Sequence, residues 1–140
     1  MIHARPARLR YLLDTDIVIY LVHRRAEAIA AHFARLRPIE VAISCVAFGE
    51  LRYGAEKSVK RDASIVMLDQ FAKRISVLPL DSSVSAEYGR IRAILEAQGT
   101  PLGNNDMWIA AHALATRLIL VTNNEREFRR VPDLKVENWV

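Results

Sequence analysis

The stretch that most constrains this chain is Arg10–Val22, RYLLDTDIVIYLV. Tyr11, Leu12 and Leu13 form a short apolar run that stops at Asp14. Asp16 follows, and then a second apolar run, Ile17–Val22. A run this short and this apolar predicts a strand buried on both faces of a sheet. Two carboxylates then stand at its C-terminal edge, where open α/β sheets bind their ligands. Carboxylates placed there are costly to desolvate unless positive charge compensates them, and a divalent cation is the usual partner. The same residues also fit a plainer role, because Asp14, Thr15 or Asp16 can N-cap the helix that follows.

The rest of the chain alternates in the same way. Helices are expected over Ile17–Arg25 and Glu27–Leu36, then a strand at Val41–Ser44 and a helix over Val46–Lys57. Asp62–Ile75 carries Ile65, Leu68, Phe71 and Ala72 at helical spacing. Val77–Leu80 reads as a strand. Asp81, Ser82 and Ser83 offer caps for a helix over Val84–Ala97, which Gly99 ends. After a turn at Thr100–Gly103, Asn104 or Asn105 can cap a helix over Asp106–Thr116. That helix is apolar almost all round and therefore buried. Leu118–Val121 and Lys135–Trp139 read as strands, with a helical turn at Asn124–Arg130 between them. Residues 1–9 read as a loose basic leader and residues 10–140 as one domain of α/β class, with a central, mainly parallel β-sheet flanked by helices.

Composition excludes several classes. At 140 residues and 51% hydrophobic, the chain is long and apolar enough to bury a core. Its apolar runs are too short to cross a bilayer, and no signal peptide is evident. The only cysteine is Cys45, which rules out an internal disulfide and a cysteine-based zinc site. Its apolar neighbours suggest a buried thiol. His3, His23, His32 and His112 lack the close spacing of zinc ligands, and His112 reads as a core histidine. Trp108, Phe128 and Trp139 read as core or dimer contacts. A cytoplasmic protein is expected. The formal charge of +4 tolerates a polyanionic partner without proving one. Basic residues gather at His3, Arg5, Arg8 and Arg10, and again at Arg24–Arg25, Arg35–Arg37 and Arg129–Arg130.

Three acids stand where no solvated face calls for them: Asp14 after the first strand, Glu50 in an apolar helix, and Asp106 opening a buried helix. Separations of 36 and 56 residues exclude a local cation-binding loop and suit a site assembled from several strand ends. Such clusters hold Mg²⁺ or Mn²⁺, which take oxygen ligands, acidify a bound water and neutralise charge on a phosphate. Each acid also has a plain alternative. Glu50 can pair with Arg52 or Lys57 on the surface, and Asp106 can act on its helix dipole.

LLDTDIVIYLV, ISCVAFGELRYGAEKS, GTPLGNNDMWIAAHALA and LILVTNNEREFRRVPDLKVENW resemble the four signature blocks of PIN-domain ribonucleases. The resemblance is greatest to the VapC toxins of bacterial toxin–antitoxin pairs. It runs from about Tyr11 to the C-terminus, in the family's order and at its spacing. It implies a central parallel sheet between helices and a Mg²⁺- or Mn²⁺-dependent endoribonuclease. It also implies homodimerisation and inhibition by a VapB-type antitoxin. It carries Asp14, Glu50 and Asp106 over as the catalytic, metal-holding acids. Thr122 matches a hydroxyl residue of the family that holds a metal-bound water or a carboxylate.

Two positions depart from the pattern. Asn124 stands where many PIN domains have aspartate, leaving an amide oxygen as the possible ligand. Glu127, one turn on, can reach the site or can form a capping box with Asn124. Asp16 stands where the family often has asparagine, and either adds charge or caps the helix. Because site and substrate are both negative, arginines must draw RNA in, and Arg10, Arg52 and Arg126 are the candidates. Two rival readings remain. One is a PIN-fold RNA-binding module without activity, which fits the basic charge but not the retained acids. The other is a haloacid-dehalogenase-type phosphotransferase. Its opening motif fits DTDIV, but its later acidic pair is missing from GNND and TNNE.

Overall fold

The computed structural model describes residues 8–23 and 27–140; side chains of residues 23 and 27–29 are also outside the description. The Arg24–Arg25 cluster and most of the basic leader therefore lie outside the described residues.

Tyr11–Leu13 forms β1, with all three side chains buried. Its neighbours are β2 (Val41–Ser44) and β4 (Ile119–Val121). β3 (Ser76–Leu78) lies outside β2 and β5 (Val136–Glu137) outside β4. The order is β3-β2-β1-β4-β5, and every pairing is parallel. The chain thus builds one half of the sheet outward from β1 and returns to β1 to build the other. The crevice between the C-terminal ends of β1 and β4 is the topological switch point.

The helices are α1 (Thr15–His23), α2 (Glu27–Ala34), α3 (Cys45–Glu56), α4 (Arg61–Arg74), α5 (Ser82–Ala97), α6 (Asn104–Thr116) and α7 (Glu125–Phe128). α5 packs against α6, and α3 against α4. α6 buries Met107, Ile109, Ala110, Ala111, His112 and Ala113, as its all-apolar sequence requires. Asp81 caps α5 by accepting from the Ser83 and Val84 N–H groups. Gly99 then reverses the chain at φ +70°, and the Thr100 N–H returns to the Leu95 carbonyl at 2.9 Å. Arg117 makes the same turn after α6 at φ 58°, with the Leu118 N–H on the Ala113 carbonyl at 3.0 Å.

Several boundaries differ from expectation for local reasons. β3 ends at Leu78 because Pro79 has no N–H for the ladder. α1 starts at Thr15, directly after Asp14. Ser44 caps α3 through the Val46 N–H at 3.1 Å, so Cys45 opens the helix and is half-buried rather than buried. Neither Asn104 nor Asn105 caps α6. Gly103 holds that position without a side-chain bond, and the Asn104 side chain is engaged by the Tyr88 hydroxyl instead. His112 is buried with Nδ1 2.8 Å from Ser44 Oγ, and burial lowers its pKa, so it is a neutral core residue.

Trp139 closes the core where the chain leaves β5. It stacks on His32 at 4.8 Å, meets the edges of Tyr11 and Phe33, and donates Nε1–H to Glu137 Oε1 at 2.9 Å. Trp139→Ala is expected to cost about 3–5 kcal/mol of stability. Trp139→Phe keeps one ring in this position but loses the donor and the rest of the indole, and should cost less than the alanine, about 1–3 kcal/mol. Urea unfolding of the two variants measures the difference.

Candidate active site

The C-terminal ends of the central strands carry the acids. Asp14 follows β1 and Thr122 follows β4, so the parallel register sets them side by side. The Thr122 hydroxyl donates to Asp14 Oδ2 at 2.8 Å, and the Thr15 N–H donates to Asp14 Oδ1 at 2.8 Å. Both residues at this bond are buried. Thr122 therefore takes the carboxylate-holding alternative among its expected roles. Its oxygen also accepts the Asn124 N–H at 2.9 Å, which ties the turn after β4 to Asp14.

Thr15 links the next acid. Its N–H holds Asp14, and its hydroxyl donates to Glu50 Oε1 at 2.8 Å, joining α1 to α3. Glu50 thus takes neither surface partner that its sequence neighbourhood offers. Arg52 pairs with Asp69 of α4 at 2.8 Å, and Lys57 lies over the Tyr53 ring. Thr15 was legible only as a possible cap; its position between two acids was the available signal. Asp16 accepts the Asn123 N–H at 3.2 Å through Oδ2, while its Oδ1 is buried with no hydrogen-bond partner.

Asp106 lies half-buried in the first turn of α6. Its pKa is pushed up to about 6, first by burial and then by the charges of Asp14, Glu50 and Glu127. Asp16 is also pushed up to about 6, by burial and then by Asp14, against opposing backbone hydrogen bonds, with Asp106 a further raising charge. Asp14 is raised by burial and by Glu50, although Thr122 and Thr15 pull it the other way. These mutual effects show that α1, α3, α6 and the strand ends bring the four acids into one field. Asn124 Nδ2 donates to Glu127 Oε2 at 2.9 Å, and no side chain caps α7. The capping-box alternative for this pair is therefore absent: Asn124 is a donor to Glu127 rather than an acceptor for the backbone.

Two of the three arginines expected beside the acids are elsewhere. Arg10 precedes β1, so it lies at the opposite edge of the sheet from Asp14 and pairs with Glu40 at 3.1 Å. Arg52 is two residues from Glu50, which turns it to another side of α3, toward Asp69. Arg126 is exposed in the first turn of α7 and unpaired among the described residues.

The donor set suits a hard cation. Carboxylate oxygens gather, one buried oxygen of Asp16 has no partner, and the charges raising these pKa values are other carboxylates. Among the described residues, no group of three or more His, Cys, Asp or Glu side chains is close enough to hold an ion by itself. Beside the acids runs an apolar groove of about 330 Å³ between α1, α3 and α4. Val18, Ile19, Val22, Leu51, Met67 and Leu68 line it, and Thr15 and Glu50 stand on its wall.

The chain matches the PIN domain family over residues 11–134. It belongs to that family. This PIN domain is 43% identical over 132 residues to Ribonuclease VapC2 of Haemophilus influenzae, covering 94% of this chain and 99% of the relative. It is 38% identical over 131 residues to the tRNA(fMet)-specific endonuclease VapC of Salmonella typhimurium, covering 94% and 98%. The solved structure of DNA-bound VapBC from Salmonella typhimurium superposes with a TM-score of 0.89 at 38% identity, covering 94% of this chain and 99% of that one. The α/β PIN fold expected from the four blocks is thus the observed one, with a sheet that is wholly rather than mainly parallel.

The raised acid pKa values give the metal-free PIN domain a definite pH response. Between the unfolded value near 3.8 and the folded values of about 6, the native state holds protons that the unfolded chain has released. The contribution of these two acids to stability is therefore greatest at the acidic end of this window and is lost as pH rises through it, while buried His112, with its lowered pKa, contributes in the opposite sense. Asp16→Asn should flatten the fall and raise the metal-free melting temperature at pH 7 by about 3 °C, the size of about 1 kcal/mol in a domain like this. Melting curves in EDTA between pH 4 and 8 test this. An Asp16→Asn curve that runs parallel to the wild-type curve over the window contradicts it.

Proposed function

We propose that this PIN domain is a metal-dependent endoribonuclease toxin, restrained by a VapB-type antitoxin. The observation that carries the reading is Asp14, buried at the switch point and fixed by Thr122 and Thr15, with the Glu50 charge close enough to raise the pKa values of both Asp14 and Asp106. Family membership and relatives named as VapC ribonucleases support RNA as substrate. An RNA-cutting activity of this kind belongs in the cytoplasm. A bound Mg²⁺ or Mn²⁺ would acidify a water and neutralise charge on the scissile phosphate.

Asp14 and Asp106 are the proposed direct ligands, and Glu50 is a ligand or a holder of metal waters. The chain's own work is positional. Thr122 and Thr15 occupy both Asp14 oxygens with hydrogen bonds, which fixes the carboxylate plane. The Thr15 hydroxyl occupies Glu50 Oε1 and leaves Oε2 to face solvent or cation. Asp16 supports the cluster with its unpartnered Oδ1. Asn124 and Glu127 are bonded to each other, so they enter the site as a pair. Arg126 is the arginine of the three best placed to meet incoming RNA here. The retention of every core acid speaks against an inactive RNA-binding module.

The apolar groove beside Thr15 and Glu50 suits an antitoxin segment with an apolar face and an arginine that forks onto the carboxylates. The VapBC neighbour, a toxin–antitoxin complex, supports this partner. Homodimerisation is carried over from the same resemblance.

Asp14→Asn and Asp106→Asn should each abolish RNA cleavage while leaving the far-UV spectrum native. Mg²⁺ should raise the melting temperature of the wild type by linkage and leave Asp14→Asn nearly unmoved. Cleavage that survives both substitutions overturns the assignment. An antitoxin that lacks its C-terminal arginine should lose active-site inhibition more than binding, as read by comparing cleavage assays with pull-down.

A further inference from the structure

The edge of the sheet opposite the acids carries the reverse charge. Arg10 precedes β1, and Arg37 and Glu40 precede β2, so the parallel pairing of these strands gathers them at the N-terminal edge. Arg8 joins them, and the four side chains line a cavity of about 250 Å³. Arg10 Nη1 meets Glu40 Oε1 at 3.1 Å, and Glu40 Oε2 accepts the Arg37 backbone N–H at 2.7 Å. Both oxygens of the one carboxylate are therefore occupied. The guanidiniums of Arg8 and Arg37 make no hydrogen bond or ion pair to any described residue. Three guanidiniums thus share one carboxylate, a local excess of positive charge.

Two guanidiniums with open N–H forks in one concavity match the paired oxygens of a phosphate. Neither a small apolar ligand nor a cation suits such a lining. An RNA cut at the acidic edge must be held somewhere else on the molecule, because the acids themselves repel its backbone. From Arg10 to Asp14 the extended chain of β1 spans about 13 Å at about 3.3 Å per residue. A phosphate at the basic edge is therefore a different one from the phosphate at the acids.

We propose that Arg8, Arg10 and Arg37 form a phosphodiester-binding subsite that anchors the RNA substrate across the sheet from the cutting edge, a reading that rests on the endoribonuclease assignment. The subsite holds RNA by its phosphates: a short fragment can occupy the arginines alone, and an RNA long enough or folded enough to reach both edges is also presented to the acids. Glu40 limits the affinity by holding Arg10.

The test compares the wild-type chain, the double variant Arg8→Gln/Arg37→Gln, and Glu40→Gln. Binding is measured in EDTA, where RNA is not cut, against KCl concentration. The probes are a fluorescent hairpin RNA, a single-stranded RNA of about four nucleotides, at the small end of single-strand site sizes, and a duplex DNA of the hairpin's length. The double variant should bind the hairpin about tenfold more weakly at low salt and flatten the salt slope by about 1.4, the loss of two phosphates at about 0.7 each. The four-nucleotide RNA should lose binding as well, because in EDTA the acids repel it and the arginines are the site left to hold its phosphates. Glu40→Gln keeps an acceptor for the Arg37 N–H and removes the negative charge, so it should tighten hairpin binding. With Mg²⁺ present, the double variant should raise KM for the hairpin and leave kcat unchanged. Unchanged hairpin binding, or a loss confined to the DNA, overturns the subsite. If the arginine effects appear but Mg²⁺ yields no cleavage, the subsite stands and the nuclease assignment falls. Cleavage without arginine effects has the opposite meaning.

Discussion

Asp14 is the constraint around which the molecule is arranged. A carboxylate buried at the end of a central strand is tolerable only when its oxygens are bonded and its charge has a destination. Thr122 and the Thr15 N–H supply the bonds, one from β4 and one from the start of α1. The β1–β4 pairing must therefore be parallel and in register, since a slip of one residue would turn Thr122 to the other face. Thr15 then carries the constraint on to α3 through Glu50. The site is in this sense a product of the sheet's register rather than of a loop.

The same arrangement sets stability against function. Gathering acids in a half-buried crevice raises their pKa values and weakens the metal-free protein near neutral pH. Their persistence is understandable if a cation or an arginine from a partner relieves the repulsion, and both act at this crevice in the proposed function. Cation binding and antitoxin binding are then linked to folding in the same direction, because each favours the native state.

Charge is also separated along the strands. Acids collect where the parallel strands end, and arginines collect where β1 and β2 begin. A net charge of +4 hides this polarity. An RNA molecule large enough to span the sheet experiences attraction at one edge and, without a cation, repulsion at the other.

The sequence by itself determined the alternation of strands and helices and the burial of β1 and α6, and it pointed to Asp14, Glu50 and Asp106 as candidate acids. These features are local: a run of Tyr-Leu-Leu, an all-apolar helix, or a carboxylate at an element's end declares itself through periodicity and the cost of desolvation. Asp81 and Gly99 were legible as cap and stop for the same reason. Only the tertiary structure decided what those residues touch. It placed Arg10 at the far edge, turned Arg52 to Asp69, gave Asn104 to Tyr88, and made Thr15 a bridge instead of a cap. Each of these depends on a partner 16 to 35 residues away in the chain. An arginine four residues before an aspartate looks close in sequence. In an extended strand those two positions face opposite edges of the sheet, and that geometry exists only once the strands have paired.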